Sequence, residues 1–301
     1  MTEQLFRYET SGLWLKGNVH MHSTASDGGK SVSELAELYG EAGYDFLCLT
    51  DHWVAGRTDL GGSTGPLILG GVELHGYDRQ GFFYHVVCIG DFEGIAVGMD
   101  FEEALKTARS QGGILILAHP HWTGNTYEQA KRHGFDGVEI YNAIAHWMNG
   151  KCCGLGYWDA MLEDFPDVSG FAVDDTHLRS DGQIWKSGWV WVNVKERTPA
   201  AIIAALRKGN FCASTGPQIL SLEVNAEKLH VRSTAVKFAR IVGEKYAGRS
   251  ILPNEILSDK QDAFTEFELT LPEEYDYLRL EIEDAHGGRA WTNTLFTKCI
   301  P

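Results

Sequence analysis

Short apolar runs alternate with amphipathic stretches over the first two thirds of the chain. "LWLKGNVH" predicts a strand, "SVSELAELYGEAG" a helix and "YDFLCLTDH" a second strand. In the helix Leu35, Leu38 and Ala42 share one face, Ser31 or Ser33 stands at the N-cap, and Gly43 ends it. Strands at "LILGGVELHG" and "FFYHVVCIG", a helix around "DFEEALKTARSQGG" and the short buried strand "ILILAHP" come next. A helical stretch near 126–133, the strand "FDGVEIYN", a helix around 157–164 and the strand "VSGFAVDD" follow. "GWVWVNV" as strand and "TPAAIIAALRKGN" as helix complete the series. Repeated βα units with short connections predict a parallel sheet, either closed into a barrel or open and doubly wound.

Past "STGPQ" the texture changes. "ILSLEVNAEKLHVRS", "VKFARIVG", "AFTEFELTL", "YDYLRLEIEDAHGG" and "AWTNTLFT" read as short strands between turns, with no helical window. A boundary near Thr215 is therefore expected, with a small antiparallel β-domain after it. The 301 residues suit a main domain plus a smaller one. No apolar run reaches the ~18 residues of a transmembrane helix, and "MTEQLFRYETSG" lacks the pattern of a signal peptide, so a cytoplasmic location away from membranes is expected.

Composition narrows the chemistry. Six cysteines without C-x-x-C spacing suit neither a zinc cluster nor a disulfide framework, and Cys48, Cys88 and Cys212 read as small buried hydrophobes. The formal charge of -15 argues against a nucleic-acid polymer as partner, but leaves room for a small anionic substrate if bound cations reverse the local potential.

Histidine placement supplies the candidate chemistry. With 12 histidines, chance alone gives roughly 0.5 His-x-His pairs, so the pair His20 and His22 means little by itself. Position adds weight, because reactive residues of parallel α/β domains gather at the carboxyl ends of strands. His20 and His22 follow "WLKGNV", Asp51 and His52 follow "FLCLT", and Glu73 follows "LILGGV". His119 follows "ILILA", and Asp174, Asp175 and His177 follow "VSGFAV". Residues i and i+2 of a strand point the same way, so His20 and His22 can share one ion, as can Asp175 and His177. Asp27 lies in the glycine-bounded turn after the first pair, and His85 stands inside a strand-like run. Singly, each reads as a satisfied core histidine or a capping aspartate; five strand ends carrying such residues do not.

The order "NVHMHSTASDG", "LTDH", "GVELHG", "YHVVCIG", "AHP" and "DDTH" resembles the PHP (polymerase and histidinol phosphatase) superfamily of metal-dependent phosphoesterases, over roughly residues 12–216. "VEIYN", "YWDAML" and "TPAAIIAALRKGNFCASTGPQ" more loosely resemble its stand-alone members and the carbaryl-hydrolase-type (CehA/McbA) branch, which carry a β-domain after the barrel. The resemblance implies an α/β fold, a distorted (β/α)7 TIM-like barrel over 1–216, followed by a β-sandwich-like domain over 217–301. It implies one metal held by His20, His22, Glu73 and Asp175. A second would be held by Glu73 as a bridge with His85 and His119, and a third by Asp27, His52 and His177. The family pattern D-x-H selects Asp175 over Asp174.

Six histidines with three carboxylates and no thiolate suit zinc, manganese or iron. Two to three divalent ions are expected; three against three carboxylates leave about three net positive charges in the cleft. The activity this implies is hydrolysis of a small phosphate ester, a nucleotide or sugar phosphate. Its nucleophile would be a metal-bridging hydroxide, available because metal binding lowers the pKa of water from 15.7 to about 7. Arg179, Arg57 and Lys30 are the candidate phosphate-binding cations. Asp51, Asp174 and His121 are expected behind the ligands, and Trp53 and Trp122 as walls for an organic leaving group or as core. Two readings compete: a carboxyl-ester or carbamate hydrolase at the same centre, and a non-catalytic scaffold, which has no reason to keep nine ligand positions filled.

Overall fold

The computed structural model describes residues 4–58, 65–179, 184–225, 227–251, 263–272 and 275–298. The first predicted helix forms at Val32–Glu41, where the Ser31 hydroxyl accepts from the Glu34 amide and the Glu34 carboxylate accepts from the Ser31 amide. This reciprocal box selects Ser31 over Ser33 as the cap. Leu35 and Tyr39, four apart, bury the inner face. The later helices form at Phe101–Ser110, Leu155–Leu162 and Pro199–Arg207. The stretch near 126–133 keeps one turn, Tyr127–Ala130, and two short helices, Pro120–Thr123 and Ala143–Asn149, follow strands directly.

Most strands form where the apolar runs predict them, but the sheet is mixed rather than parallel. Leu13–Asn18, Phe46–Cys48 and Leu67–Leu69 pair in parallel, as do Ile114–Leu117, Gly137–Asn142 and Ser169–Val173. Gly71–Tyr77 and Phe83–Ile89 are antiparallel, because only residues 78–82 join them and so short a link permits a hairpin but no crossover. That hairpin sets His75 directly opposite His85.

No closed barrel forms among the described residues. Among the described residues, Gly71–Tyr77 through Ser169–Val173 make a five-stranded sheet, and Leu13–Asn18, Phe46–Cys48 and Leu67–Leu69 lie at one end of a nine-stranded sheet. Isolated bridges between described residues, Met21 with Thr176 and His52 with Glu73, join the ends of the two sheets. Both bridges lie beside the proposed ligands.

An apolar core fills the space between these sheets, with Phe46, Leu69, Ile116, Phe171, Val190 and Phe211 among its members. Gly17 and Gly137 sit in strands at places where a Cβ would run into the rings of Phe46 and Phe171. Cys48, Cys88 and Cys212 are buried thiols, pushed up in pKa by burial; Cys299 lies outside the described residues. No described helix is long and apolar enough to cross a membrane.

Every described element after Thr215 is a strand. Hydrogen bonding nevertheless crosses the expected boundary: Phe211–Ser214 pairs with Arg289–Thr292, which continues through Leu278–Glu283 to Phe238–Gly243 and Gly248–Ile251. Tyr277 and Trp291 pack into a core shared with Tyr84 and Trp158, and Arg279 meets Asp159 at 3.0 Å. A fragment ending at residue 216 would lose these contacts, a few kcal/mol for the two aromatics alone. We expect it to lack a cooperative thermal transition by circular dichroism; a two-state melt near that of the full chain would show the first part to be independent.

Candidate metal centre

The ligand-type residues meet at one cavity because the backbone is knitted together at their level. The Asp175 amide donates to the His20 carbonyl (3.0 Å), His22 to Thr176 (2.9 Å), Thr50 to Met21 (3.1 Å) and Glu73 to Asp51 (3.2 Å). Six described non-glycine residues have positive φ, and four of them adjoin this ring: Trp53, His119, Asp175 and Leu178. Each costs about 1–3 kcal/mol, and such outliers gather at functional sites.

Glu73 is the hub, 1% exposed. Its Oε2 lies 3.1 Å from His20 Nε2, 3.1 Å from His22 Nε2 and 3.2 Å from His52 Nδ1. Its Oε1 lies 2.7 Å from His85 Nδ1 and 3.4 Å from His119 Nε2. Asp175 Oδ1 adds 3.3 Å to His20 Nε2 and 3.2 Å to His22 Nε2, while those two nitrogens are 3.2 Å apart. Asp27 lies toward His22 Nδ1 (3.5 Å) and His177 Nε2 (3.4 Å).

Seven of the nine residues read as ligands line one cavity, and His20 and His22 lie fully buried against its Glu73 and Asp175. Their grouping differs slightly from the family assignment: His22 reaches the Asp27, His52 and His177 group, and His52 also joins Glu73 and His85.

The donor set fits divalent ions. His22 Nδ1, Glu73 Oε2 and Asp175 Oδ1 are buried with no hydrogen-bond partner, which is costly unless something else satisfies them. Donors 3.1–3.3 Å apart also match cis ligands around one ion, whose edges are about 3.0 Å for octahedral and about 3.4 Å for tetrahedral coordination at ~2.1 Å.

Protonation follows the same geometry. Burial disfavours a charged His20, but the carboxylates of Asp175, Glu73 and Glu139 outweigh it and raise the ring's pKa well above its ordinary value. Burial likewise opposes, and Asp175 and Glu73 overcome, the rise of His22 to about 9. Glu73, despite burial, is held well below the carboxylate range by His20 and its neighbouring imidazoles. Burial prevails at His52, pushed down to about 4, and lowers His177. Protons thus hold His20 and His22 against the carboxylates when no metal does, and metal binding must expel them.

The residues behind the ligands are partly new. Glu139, absent from the sequence reading, accepts from His20 Nδ1 at 2.6 Å and from the His119 amide at 2.8 Å. A carboxylate acceptor puts the proton on Nδ1 and leaves His20 Nε2 free to coordinate. Asn142 donates to both Glu139 (2.9 Å) and Asp175 (3.1 Å). His75, 3.2 Å from His52 Nδ1 and stacked on His85, was also missed. Sequence signals existed: Glu139 is a charge inside an apolar strand, and His75 repeats the i, i+2 spacing from Glu73.

Asp51 orients no imidazole. Its carboxylate accepts from the amides and hydroxyls of Ser23 and Ser26 at 2.6–3.1 Å, and so holds the turn that carries Asp27. Gly28 and Gly29 let that turn lie against the carbonyls of His22 and Leu178, where a Cβ would clash. Asp174 faces away from the ligands toward Asn18, Tyr39 and the amides of Lys186, Ser187 and Gly188.

Of the expected cations, Arg179 alone lines the cavity, paired with Asp27. Arg57 has turned outward to Glu93 (3.6 Å), and Lys30, just before the helix Val32–Glu41, lies near Glu34 (3.9 Å). His121 is exposed at a separate depression beside Tyr127 and Tyr157, since the turn after Pro120 rotates it away from His119. Trp122 lines the cavity, whereas Trp53 packs toward the core.

Two measurements check these assignments. Glu139→Gln should weaken metal binding about 10–100-fold by calorimetry while the fold persists, whereas unchanged affinity would deny it a hold on His20. Asp51→Ala should cost about 2–4 kcal/mol in denaturant unfolding, because four donors lose their acceptor.

No family model matches the chain. The DNA polymerase/3'-5' exonuclease PolX of Bacillus subtilis (strain 168) is 50% identical over 38 residues, 13% of this chain and 7% of that protein. The phosphoribosyl 1,2-cyclic phosphate 1,2-diphosphodiesterase of Eggerthella lenta is 34% identical over 82 residues, 26% of this chain and 31% of that protein. The chain thus spans less than a third of either relative. A two-domain protein from Bacteroides vulgatus ATCC 8482, containing a predicted PHP-like metal-dependent phosphoesterase, superposes with a TM-score of 0.51 at 15% identity. The match covers 97% of this chain and 98% of that one. With this architecture the chain is PHP-like by fold, although Glu73, expected at a strand end, stands inside Gly71–Tyr77.

Proposed function

We propose that the protein is a metal-dependent hydrolase of small phosphate esters, in which residues 1–216 form the hydrolase part and 217–301 a β-domain sharing its sheet. One observation carries this reading: eight ligand-type residues form three overlapping groups with His119 beside Glu73, and the buried Glu73 Oε2, Asp175 Oδ1 and His22 Nδ1 atoms have no hydrogen-bond partner. The Eggerthella relative, a phosphodiesterase by name, supports the ester class.

His20, His22, Glu73 and Asp175 would hold one ion, Glu73 with His52, His85 and His119 a second, and Asp27 with His22, His52 and His177 a third. Bound divalent ions supply positive charge for the phosphate and acidify water toward neutral pH. Glu139 keeps the proton on His20 Nδ1, Asp51 fixes the Asp27 turn, and Arg179 stands at the rim where its planar fork can meet a phosphate oxygen. Zinc, manganese and iron all suit this nitrogen and oxygen set.

Carboxyl-ester or carbamate hydrolysis at the same centre is the second reading. It is favoured by the scarcity of cations: among the described cavity residues Arg179 is the one Lys or Arg, and Asp27 engages it.

Protein stripped with chelator and reloaded with Mn²⁺ or Zn²⁺ should release phosphate from p-nitrophenyl phosphate, and His20→Ala should abolish this while sparing the far-ultraviolet spectrum. Turnover of p-nitrophenyl acetate without phosphate release would favour the second reading. Binding of less than about one metal equivalent would return the protein to a scaffold role.

A further inference from the structure

Resting on the phosphoester reading, we infer that the substrate's group beyond the phosphoryl is apolar, alkyl or aryl, and not a sugar. The cavity encloses about 380 Å³, within the range of small-molecule sites. Its floor is the ligand set, but its walls are Trp122, Ile144, Met148, Leu178 and Ile184.

These walls come from separate elements, each tied down. Ile144 and Met148 are four apart on the helix Ala143–Asn149, so both present to one side, and the helix start is capped by Asn142 Oδ1 accepting from the Ala145 amide at 2.9 Å. Across the cavity, Leu178 is buried, and the Ile184 carbonyl accepts from the Thr176 hydroxyl at 2.6 Å. Trp122 stands edge-on to His119 and His85, with ring centroids 5.0 and 6.0 Å apart. Met148 is 64% exposed, an apolar side chain left at the mouth.

Among the described lining residues there is no serine, threonine, tyrosine or glutamine. The one amide, Asn142, is spent: its nitrogen serves Glu139 and Asp175, and its oxygen serves the helix. Arg179 is engaged by Asp27. Sugar hydroxyls placed here would give up hydrogen bonds to water and gain few in return, while an apolar group loses nothing and buries its surface.

Phosphonates, which bind without turnover, separate this inference from the activity it rests on. Calorimetry on Mn²⁺-loaded protein should find benzylphosphonate at least ~tenfold tighter than methylphosphonate, and 2,3-dihydroxypropylphosphonate no tighter than methylphosphonate. In the double variant Ile144→Gln, Met148→Gln the benzyl-to-methyl ratio should fall to about threefold or less. Equal affinity for benzyl and methyl, tighter binding of the dihydroxypropyl compound, a ratio untouched by the double variant, or no binding of any of the three would each overturn the inference. Phosphate release from benzyl phosphate and glycerol 1-phosphate, both primary alkyl esters, is read in parallel. Failure of both, together with p-nitrophenyl phosphate, counts against the phosphoesterase reading, and the phosphonate ratio still decides the apolar wall.

Discussion

The centre of this protein is organised by one buried charge, the carboxylate of Glu73. Taking such an ion out of water costs several kcal/mol even after relaxation. Five imidazoles approach it within 3.4 Å, drawn from segments far apart in the chain. The arrangement is stable only if positive charge sits among these groups. Protons on His20 and His22 can supply it, as the upward shifts of both rings express. Divalent ions would supply more of it and satisfy the donor atoms that protons leave unpaired.

Holding so many ligand-type side chains together imposes conditions on the backbone. Asp175 and His119 take positive φ just past the ends of their strands, and both line the cavity. The strain persists because neighbouring bonds over-determine it: Asp175 is tied through its amide to His20, and His119 through its amide to Glu139. Three carboxylates outside the ligand set divide this work. Glu139 holds the His20 ring, Asp51 the Asp27 turn, and Asp174 the loop of 186–188.

The nine-stranded sheet connects this centre to the rest of the chain. Leu13–Asn18, which leads into His20, pairs with Trp189–Val194, then Phe211–Ser214, then Arg289–Thr292. The strand that launches the first two histidines is therefore braced from the C-terminal side. A change in texture along the sequence marks where helices stop, not where cooperative hydrogen bonding stops.

By itself the sequence determined which residue types stand at strand ends and which share a face, because those properties depend on local periods of 2 and 3.6 residues. That was enough to place most strands and the main helices, whereas the ligand set, with Asp175 preferred over Asp174, rests on the family resemblance. It could not determine who faces whom across the fold. Glu139 meets His20 from 119 residues away, and His75 meets His85 through a hairpin whose register the period alone does not set. Arg57, Lys30 and His121 were read as near the site from nearness in sequence, and turns of a few residues carry each of them elsewhere. The mixed sheet, the absence of barrel closure and the apolar walls above a polar floor likewise came only from tertiary structure. Each depends on distances between segments that no local pattern encodes.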